Sequence, residues 1–210
     1  GRFCFAKPQD TTLSMEIFLI TAPGLQDLLA TEAREKGFKV RSLIAGGVTL
    51  RGEWPEVWRA NLQLRGATRV LARVGEFRAL YLSQLELNTR DFEWQTVLPS
   101  GAWVRVETTC VKSKIYHAGA ATERVENALS ARGYNIARED ADLDGAFSIR
   151  VRIDRDIVRL SLDTSGEPLH KRGHNEAVNK AAVRETMAAM FLRDAGFNGK
   201  EPLYDPMCGS

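Results

Sequence analysis

The final residues of the sequence are of types that build ligand-binding turns. Asp205-Pro206-Met207-Cys208-Gly209-Ser210 continues from residues 202–205, whose pattern predicts a short β-strand. A glycine in a turn after a strand lets the backbone approach a ligand closely, because glycine has no Cβ atom. We therefore expect the start of a loop here, of a kind that would allow close approach of a ligand. No base lies beside Cys208 in the sequence, so a nucleophilic role for it is not expected.

Other residues that could bind metal or act as nucleophiles are scattered. Cys4, Cys110 and Cys208 are far apart and form no C-x-x-C pair, which favours a reduced, cytoplasmic protein over a disulfide framework. His170 and His174 are four residues apart, a spacing that can bind metal on a helix, but further ligands are missing. The sequence therefore predicts no metal site.

A predicted β-hairpin carries arginines along one face. Apolar and polar residues alternate in 148–153 and again in 158–163, with Arg150, Arg152 and Arg159 on the polar face. Two interpretations stay open. The face could be a solvated strand surface, or it could follow a nucleic-acid backbone, because guanidinium groups form hydrogen bonds with phosphate oxygens.

Composition limits the class of protein. The 210 residues are 44% hydrophobic and 27% charged, which argues against a disordered, collagen-like or disulfide-scaffold protein. No apolar run reaches the roughly 18 residues of a membrane-spanning helix, and the first residues lack the apolar region of a signal peptide. The formal net charge is only +2. Any nucleic-acid surface must therefore be local.

Hydrophobic periodicity predicts alternating strands and helices. In residues 16–77 the order is typical of a small ferredoxin-like α+β unit, with Gly37 ending the first helix, a turn at Gly46-Gly47 and Pro55 opening the second helix. Helices are then predicted at 81–88 and 118–132, a strand at 103–109, and the hairpin after them.

A last helix is predicted over about 180–195. Its apolar face is expected to consist of Val183, Met187, Met190 and Phe191. The tryptophans are expected in the core; they are Trp54, Trp58, Trp94 and Trp103.

Three segments, in this order, resemble one enzyme family. Residues 160–173 look like the end of a THUMP domain, and 181–189 resemble the helix that opens a methyltransferase domain, called motif X. The last six residues resemble the first half of motif I, D-P-x-C-G-S-G, the methyl-donor loop. The family is the THUMP-containing, S-adenosylmethionine-dependent guanine-N2 methyltransferases, including the large-subunit ribosomal RNA enzymes. The resemblance covers about residues 15–210.

This resemblance implies an α+β protein with several parts. They are a flexible leader (1–14), an N-terminal ferredoxin-like domain (15–66), a THUMP RNA-binding domain (67–166), a linker (167–179), and the first helix and strand of a truncated Rossmann-like methyltransferase domain (180–210).

The resemblance also implies two sets of binding residues. S-adenosylmethionine, the cofactor of the full-length enzyme, would contact Asp205, Pro206, Cys208, Gly209, Ser210 and Glu185. RNA would contact Lys112, Lys114, Tyr116, Arg150, Arg152, Lys171 and Arg172. Lys112 and Lys114 flank the predicted start of a helix, whose free N–H groups can also meet a phosphate, and Tyr116 could stack on an unpaired base. The alternative for each is a surface side chain without a partner.

Several family features are missing from the 210 residues. These are the second glycine of motif I, a later strand with an acidic residue, and an Asn/Asp-Pro-Pro-aromatic loop. We therefore expect an RNA-binding fragment with no catalytic residues and no activity of its own, whose full-length protein methylates guanine N2 in 23S ribosomal RNA. The alternatives are a stand-alone RNA-binding module, or a methyltransferase acting on tRNA or on DNA adenine N6. We expect structured RNA as the partner and no membrane association, and the oligomeric state stays open.

Overall fold

A computed structural model describes residues 14–137, 145–171 and 183–205. The predictions for the leader before Ser14 and for Arg172, Pro206, Cys208, Gly209 and Ser210 lie outside these residues. The elements, in chain order, are β1 Met15–Ile20, α1 Gln26–Glu35, β2 Lys39–Ile44, β3 Gly47–Gly52, α2 Trp54–Gln63, β4 Arg69–Arg78, α3 Leu82–Asp91, β5 Trp103–Val111, α4 Ala118–Ala131, β6 Asn135–Ile136, β7 Phe147–Asp154, β8 Ile157–Asp163 and α5 Glu185–Asp194. Short 3-10 helices occur at Trp94–Thr96 and Leu169–Lys171.

The chain divides into two compact units. Unit 1 consists of Gly1–Thr68 together with Leu169–Ser210, and unit 2 is Arg69–Pro168. Unit 1 is therefore discontinuous in sequence, and α5 belongs to the same unit as β1, α1, β2, β3 and α2.

Unit 1 contains an antiparallel sheet in the order β2-β3-β1. The β1–β3 register runs from Met15 opposite Gly52 to Ile20 opposite Gly47. Gly46 has a φ of 80° in the turn between β2 and β3, which confirms the predicted turn. Apolar residues of the strands and of α1 and α2 form the core of this unit, namely Ile17, Leu19, Leu29, Val48, Leu50 and Val57.

The helix ends of unit 1 follow the signals in the sequence. At the start of α2, Glu53 and Glu56 form a reciprocal capping box, with Pro55 in the first turn. Just after α1, Gly37 has a φ of 80°, and the N–H of Phe38 donates to the carbonyl of Ala33 at 2.9 Å. This left-handed residue ends the helix where the sequence predicts.

The last helix packs on a turn that a buried carboxylate holds in place. Glu32 of α1, 4% exposed, accepts hydrogen bonds from the N–H groups of Arg65 at 2.9 Å and Gly66 at 3.1 Å. Met190 of α5 lies against Gly66 so closely that a Cβ atom there would sit 2.5 Å from the Met190 sulfur. Arg193 of α5 also pairs with Glu35 of α1. Because Gly66 has no side chain, Met190 of α5 can pack directly against the backbone of this turn.

Two predictions for the C-terminal region are wrong. The predicted apolar face of the last helix is wrong at two positions. Val183 is 58% exposed and precedes α5, because Arg184 has an extended backbone (ψ 134°) and the helix begins only at Glu185, and Phe191 is 49% exposed within the helix. No strand forms at 202–205 within the described residues, where Tyr204 is 85% exposed. A strand is stabilised by ladder hydrogen bonds to a neighbour, and no described strand pairs with this segment.

Unit 2 contains a mixed sheet in the order β4-β8-β7-β5-β6. β8 is antiparallel to both β4 and β7, whereas β5 is parallel to β7 and β6. The predicted hairpin is confirmed as β7 and β8. Its turn residues Arg155 and Asp156 have φ values of 51° and 66°, as expected for a tight hairpin turn.

The alternation along these strands separates an apolar face from a polar one. Ile149, Val151 and Ile153 are buried, and α4 packs on β5 and against α3. Trp94 is fully buried as predicted, and its Nε1 donates to the carbonyl of Thr89 at 2.7 Å.

The prediction that the other tryptophans lie in the core is wrong. Trp58 is 62% exposed and Trp103 is 46% exposed, while Trp54 is half-buried. Trp58 lies on the solvent side of α2, and Trp103 is the first residue of β5, where the sheet ends.

The polar face of the unit 2 sheet is organised around Asp163. Its carboxylate is fully buried and lies 2.6 Å from Arg69 Nη1 and 3.0 Å from Arg150 Nε. Arg150 also pairs with Glu107 at 2.6 Å. These contacts connect β4, β5, β7 and β8 across the sheet.

We predict that Glu32→Ala destabilises the chain by about 2 kcal/mol or more, because two buried N–H groups lose their acceptor. The measurement is chemical denaturation followed by circular dichroism. Glu35→Ala is the matched control on the same helix; it removes only an exposed ion pair, expected to contribute about 1 kcal/mol or less. Equal losses for the two variants would contradict the role assigned to Glu32.

We predict that Asp163→Asn costs about 3 kcal/mol, because two half-buried guanidinium groups lose their shared carboxylate. Glu107→Gln removes the exposed partner of Arg150 and is expected to cost about 1 kcal/mol or less. Thermal unfolding of both variants provides the comparison. A Glu107→Gln loss as large as that of Asp163→Asn would show that the burial of Asp163 is not what matters.

Candidate functional site

Of the residues predicted to bind the methyl donor, only Glu185 and Asp205 are described. Glu185 is half-buried in the first turn of α5, where a carboxylate interacts favourably with the helix dipole. Asp205 is exposed at the end of the described segment. The two residues thus lie at opposite ends of the segment 183–205.

A cavity of about 250 Å³ lies in unit 1 beside the first turn of α5. It is formed by the turn after β1, by Thr68, by Arg184 just before α5, and by the α5 residues Thr186 and Met187. Among the described residues of the lining, Arg184 is the single charged one, and neither Glu185 nor Asp205 is among them. Since two of the six residues predicted to bind the donor are described, the donor site stays a prediction.

Cys110 is the one cysteine in the part of the chain that the structure describes, and it forms no disulfide. Burial raises the pKa of its thiol, which disfavours the reactive thiolate. Within 14–137, 145–171 and 183–205, histidine, cysteine and acidic residues form no group that could hold a metal ion. No helix in these ranges is long and apolar enough to cross a membrane.

The predicted RNA-binding arginines of the hairpin are engaged in ion pairs. Arg150 contacts Asp163 and Glu107, and Arg152 lies 3.3 Å from Asp154. Arg159 pairs with Glu76 at 2.7 Å. A phosphate would have to compete with these carboxylates for the guanidinium groups. The ion pairs therefore favour the interpretation of this face as a solvated strand surface over that of a nucleic-acid-binding face.

The structure brings three of the predicted RNA-binding residues together. Lys112, Lys114 and Tyr116 all belong to the loop between β5 and α4, and all are exposed, Tyr116 by 83%. Lys112 has a φ of 46°, an unusual value for a residue with a Cβ atom. The loop therefore has a defined, strained conformation that presents its side chains to solvent.

One N–H group of the helix start beside these lysines is used by a side-chain cap. α4 begins at Ala118, beyond the lysines, and His117 occupies its N-cap. The His117 imidazole Nδ1 accepts a hydrogen bond from the N–H of Ala120 at 3.1 Å. Since the side chain caps the helix, that N–H group is already satisfied.

Sequence reasoning missed the residue that fixes this loop. The Asp156 carboxylate accepts from the N–H of Lys114 at 2.8 Å, and the Asp156 N–H donates to the Ser113 hydroxyl at 3.1 Å. The signal available in the sequence was a hairpin turn ending in aspartate, a residue that tolerates the left-handed conformation. Nothing in the sequence connected that turn with residues 113–114.

Lys171 and this loop belong to different units of the chain. It ends the 3-10 helix Leu169–Lys171 in unit 1, whereas Lys112, Lys114, Tyr116, Arg150 and Arg152 belong to unit 2. The predicted RNA-binding set is thus spread over both units.

Comparison with known protein families gives two matches along the chain. Residues 16–71 match the RlmL ferredoxin-like domain, and residues 172–210 match the RMKL-like methyltransferase domain. Ribosomal RNA large subunit methyltransferase K/L from Psychromonas ingrahamii is 30% identical over 93% of this chain, which covers 26% of that protein. The chain thus spans about a quarter of the length of this curated relative.

Solved structures share the fold over most of the chain. A predicted N6-adenine-specific DNA methylase from Listeria monocytogenes is 32% identical, with a TM-score of 0.80, and the match covers 93% of this chain and 52% of that one. A putative methyltransferase complexed with SAH is 25% identical, with the same coverage and a TM-score of 0.80. A possible methylase from Clostridium difficile is 28% identical, with a TM-score of 0.72 over 86% of this chain and 48% of the other.

Three observations point to the same family. They are the order of elements in residues 16–71, the two domain matches and the identity to the K/L enzyme. This chain, with its ferredoxin-like domain and its methyltransferase-domain residues, is therefore related to part of the large-subunit ribosomal RNA methyltransferases.

Proposed function

We propose that this chain is the RNA-binding part of an S-adenosylmethionine-dependent methyltransferase that modifies ribosomal RNA in the cytoplasm. The observation that carries the proposal is the ordered pair of family matches, ferredoxin-like at 16–71 and methyltransferase at 172–210. The identity of 30% to the ribosomal RNA enzyme over nearly the whole chain supports the same substrate class.

The finer assignment is guanine N2 of 23S ribosomal RNA, with residues 67–166 acting as a THUMP domain. Its support is the resemblance of residues 160–173 and 181–189 to the THUMP-containing guanine-N2 enzymes. In such an enzyme the RNA-binding domain holds a structured RNA, and the methyltransferase domain acts on an extruded base of that RNA. The protein contribution to catalysis is then mainly the orientation of the exocyclic amine.

The donor-binding role belongs to the region from α5 to Ser210. S-adenosylmethionine supplies the methyl group when bound, as the SAH complex of one structural relative suggests. Glu185 and Asp205 are carboxylates that can accept hydrogen bonds from amino or hydroxyl groups of the donor. Gly209 allows close approach of the backbone to a ligand.

A second candidate is methylation of adenine N6 in DNA. The observation in its favour is the Listeria structure, described as a predicted N6-adenine-specific DNA methylase, at 32% identity. Both candidates methylate an exocyclic amine on a base, so the chemistry of the donor site does not distinguish them. The two candidates differ in the nucleic acid that is modified and in the base that receives the methyl group.

The test uses a protein in which this chain is followed by a complete methyltransferase domain. Labelled methyl donor is supplied with ribosomal RNA or with DNA, and the modified nucleoside is identified by mass spectrometry. We expect N2-methylguanosine from 23S ribosomal RNA, whereas N6-methyladenine from DNA would overturn the proposal. The 210-residue chain alone is expected to transfer no methyl group to either, since it contains no Asn/Asp-Pro-Pro-aromatic segment.

We predict that Asp205→Ala in that longer protein weakens donor binding by roughly ten- to a hundredfold, as expected for a lost hydrogen bond to a charged group. Isothermal titration with S-adenosylmethionine measures the change. Glu201→Ala is a matched control, since it removes an exposed carboxylate four residues earlier. The same loss in both variants would contradict a specific role for Asp205.

We predict that Lys171→Glu combined with Arg172→Glu weakens RNA binding and lowers its salt dependence, because each phosphate contact contributes to counterion release. The measurement is the dissociation constant of a ribosomal RNA fragment at several salt concentrations. An unchanged affinity and an unchanged salt slope would remove residues 171–172 from the RNA site.

A further inference from the structure

The cations of unit 2 fall into two classes. The hairpin arginines Arg150, Arg152 and Arg159 are neutralised by pairs with carboxylates. Other cations are exposed, and within the described part of the chain their side chains have no ion pair. One is Arg132, which donates a hydrogen bond to Gln95 at 3.3 Å just after α4. The others form a second set, which consists of Arg78, Lys112, Lys114 and Arg155. Unpaired cations retain their full attraction for a polyanion.

The second set lies where three chain segments meet at Asp156. The Asp156 carbonyl accepts from the N–H of Ala79 at 3.0 Å, directly after Arg78 at the end of β4. The Asp156 carboxylate holds the N–H of Lys114 at 2.8 Å. The N–H of Arg155 donates to the carbonyl of Val111 at 3.2 Å, beside Lys112. The backbone of the Arg155-Asp156 turn and the Asp156 carboxylate thus join the segments that carry all four cations.

Two exposed aromatic side chains belong to the same segments. Tyr116 is 83% exposed, two residues after Lys114, and Tyr81 is 59% exposed, three residues after Arg78. Exposed tyrosines beside unpaired cations are the components of a single-strand binding surface, in which bases stack on the rings and cations contact the phosphates. In a duplex the base faces are already stacked on one another, so these rings would have no partner.

We propose that Arg78, Tyr81, Lys112, Lys114, Tyr116 and Arg155, here called the Asp156 surface, bind unpaired nucleotides of RNA. This deepens the proposed function and rests on its RNA-binding part. Arg78, Tyr81 and Arg155 are added to the predicted residues, while Arg150 and Arg152 are assigned to the stability of the sheet. Asp156 itself is a positioning residue, because its polar groups are used to hold the three segments together.

The experiment measures binding of the 210-residue chain to an oligouridylate of about twelve nucleotides, a length within single-strand site sizes, and to an RNA duplex of the same length. Lys114→Glu with Arg155→Glu should weaken binding of the oligouridylate by at least tenfold and lower the salt slope by roughly one for each lost contact. Tyr116→Ala should weaken single-strand binding by roughly five- to a hundredfold and leave duplex binding unchanged.

Matched controls lie outside the Asp156 surface. Arg132→Glu reverses an exposed charge just after α4, whose 14 residues span about 20 Å from the loop of Tyr116. Trp58→Ala removes an exposed aromatic ring in unit 1. Both should leave the affinity for the oligouridylate unchanged, and circular dichroism confirms that all variants fold.

The possible outcomes distinguish a failure of the Asp156 surface from a failure of the proposed RNA-binding function. If the wild-type chain binds no RNA, the RNA-binding part of the proposed function fails. If it binds the oligouridylate and the surface variants bind equally well, only the assignment of the Asp156 surface is overturned. If the duplex binds as tightly as the single strand and Tyr116→Ala has no effect, recognition of unpaired nucleotides is wrong.

Discussion

The arrangement of charge in unit 2 depends on one buried carboxylate. Asp163 has no exposed side-chain surface, yet it accepts hydrogen bonds from Arg69 and Arg150 on two other strands. A carboxylate so placed costs desolvation energy that only such partners offset. By pairing with Arg150 it also neutralises that half-buried guanidinium, so ion pairs between strands hold the polar face of the sheet together. Among the described residues, exposed cations without an ion pair include Arg78, Lys112, Lys114 and Arg155, on the segments that meet at Asp156.

The sequence was sufficient for the features that depend on neighbours along the chain. Alternation along 148–163 predicted the hairpin, because every second residue must face the core. Gly37 and Pro55 marked helix ends correctly, since φ preferences and missing donors act locally. The order of the motifs also led to the family that the comparisons support.

The parts that sequence could not predict depend on contacts between distant residues. Arg150 lies on a predicted face with the spacing of a phosphate-binding surface, but the positions of Glu107 and Asp163 across the sheet decide whether its guanidinium is available. Trp58 and Trp103 are large and apolar, yet their place on an outer helix face and at a strand end leaves them in solvent. The role of Asp156 likewise depends on the approach of residues 113–114, which are more than 40 positions away.

The two family matches and the two compact units divide the chain differently. Both matched segments fall almost entirely in unit 1, although about a hundred residues separate them. The two ends of unit 1 at this gap are in contact, since the N–H of Leu169 donates to the carbonyl of Thr68 at 2.8 Å. Unit 2 is therefore an insertion at a single point of unit 1. Because loop-closure entropy is small for a short connection, a few residues could replace the whole insertion and leave Met190 seated against Gly66. Gain or loss of such a module in evolution would then require only one joining event.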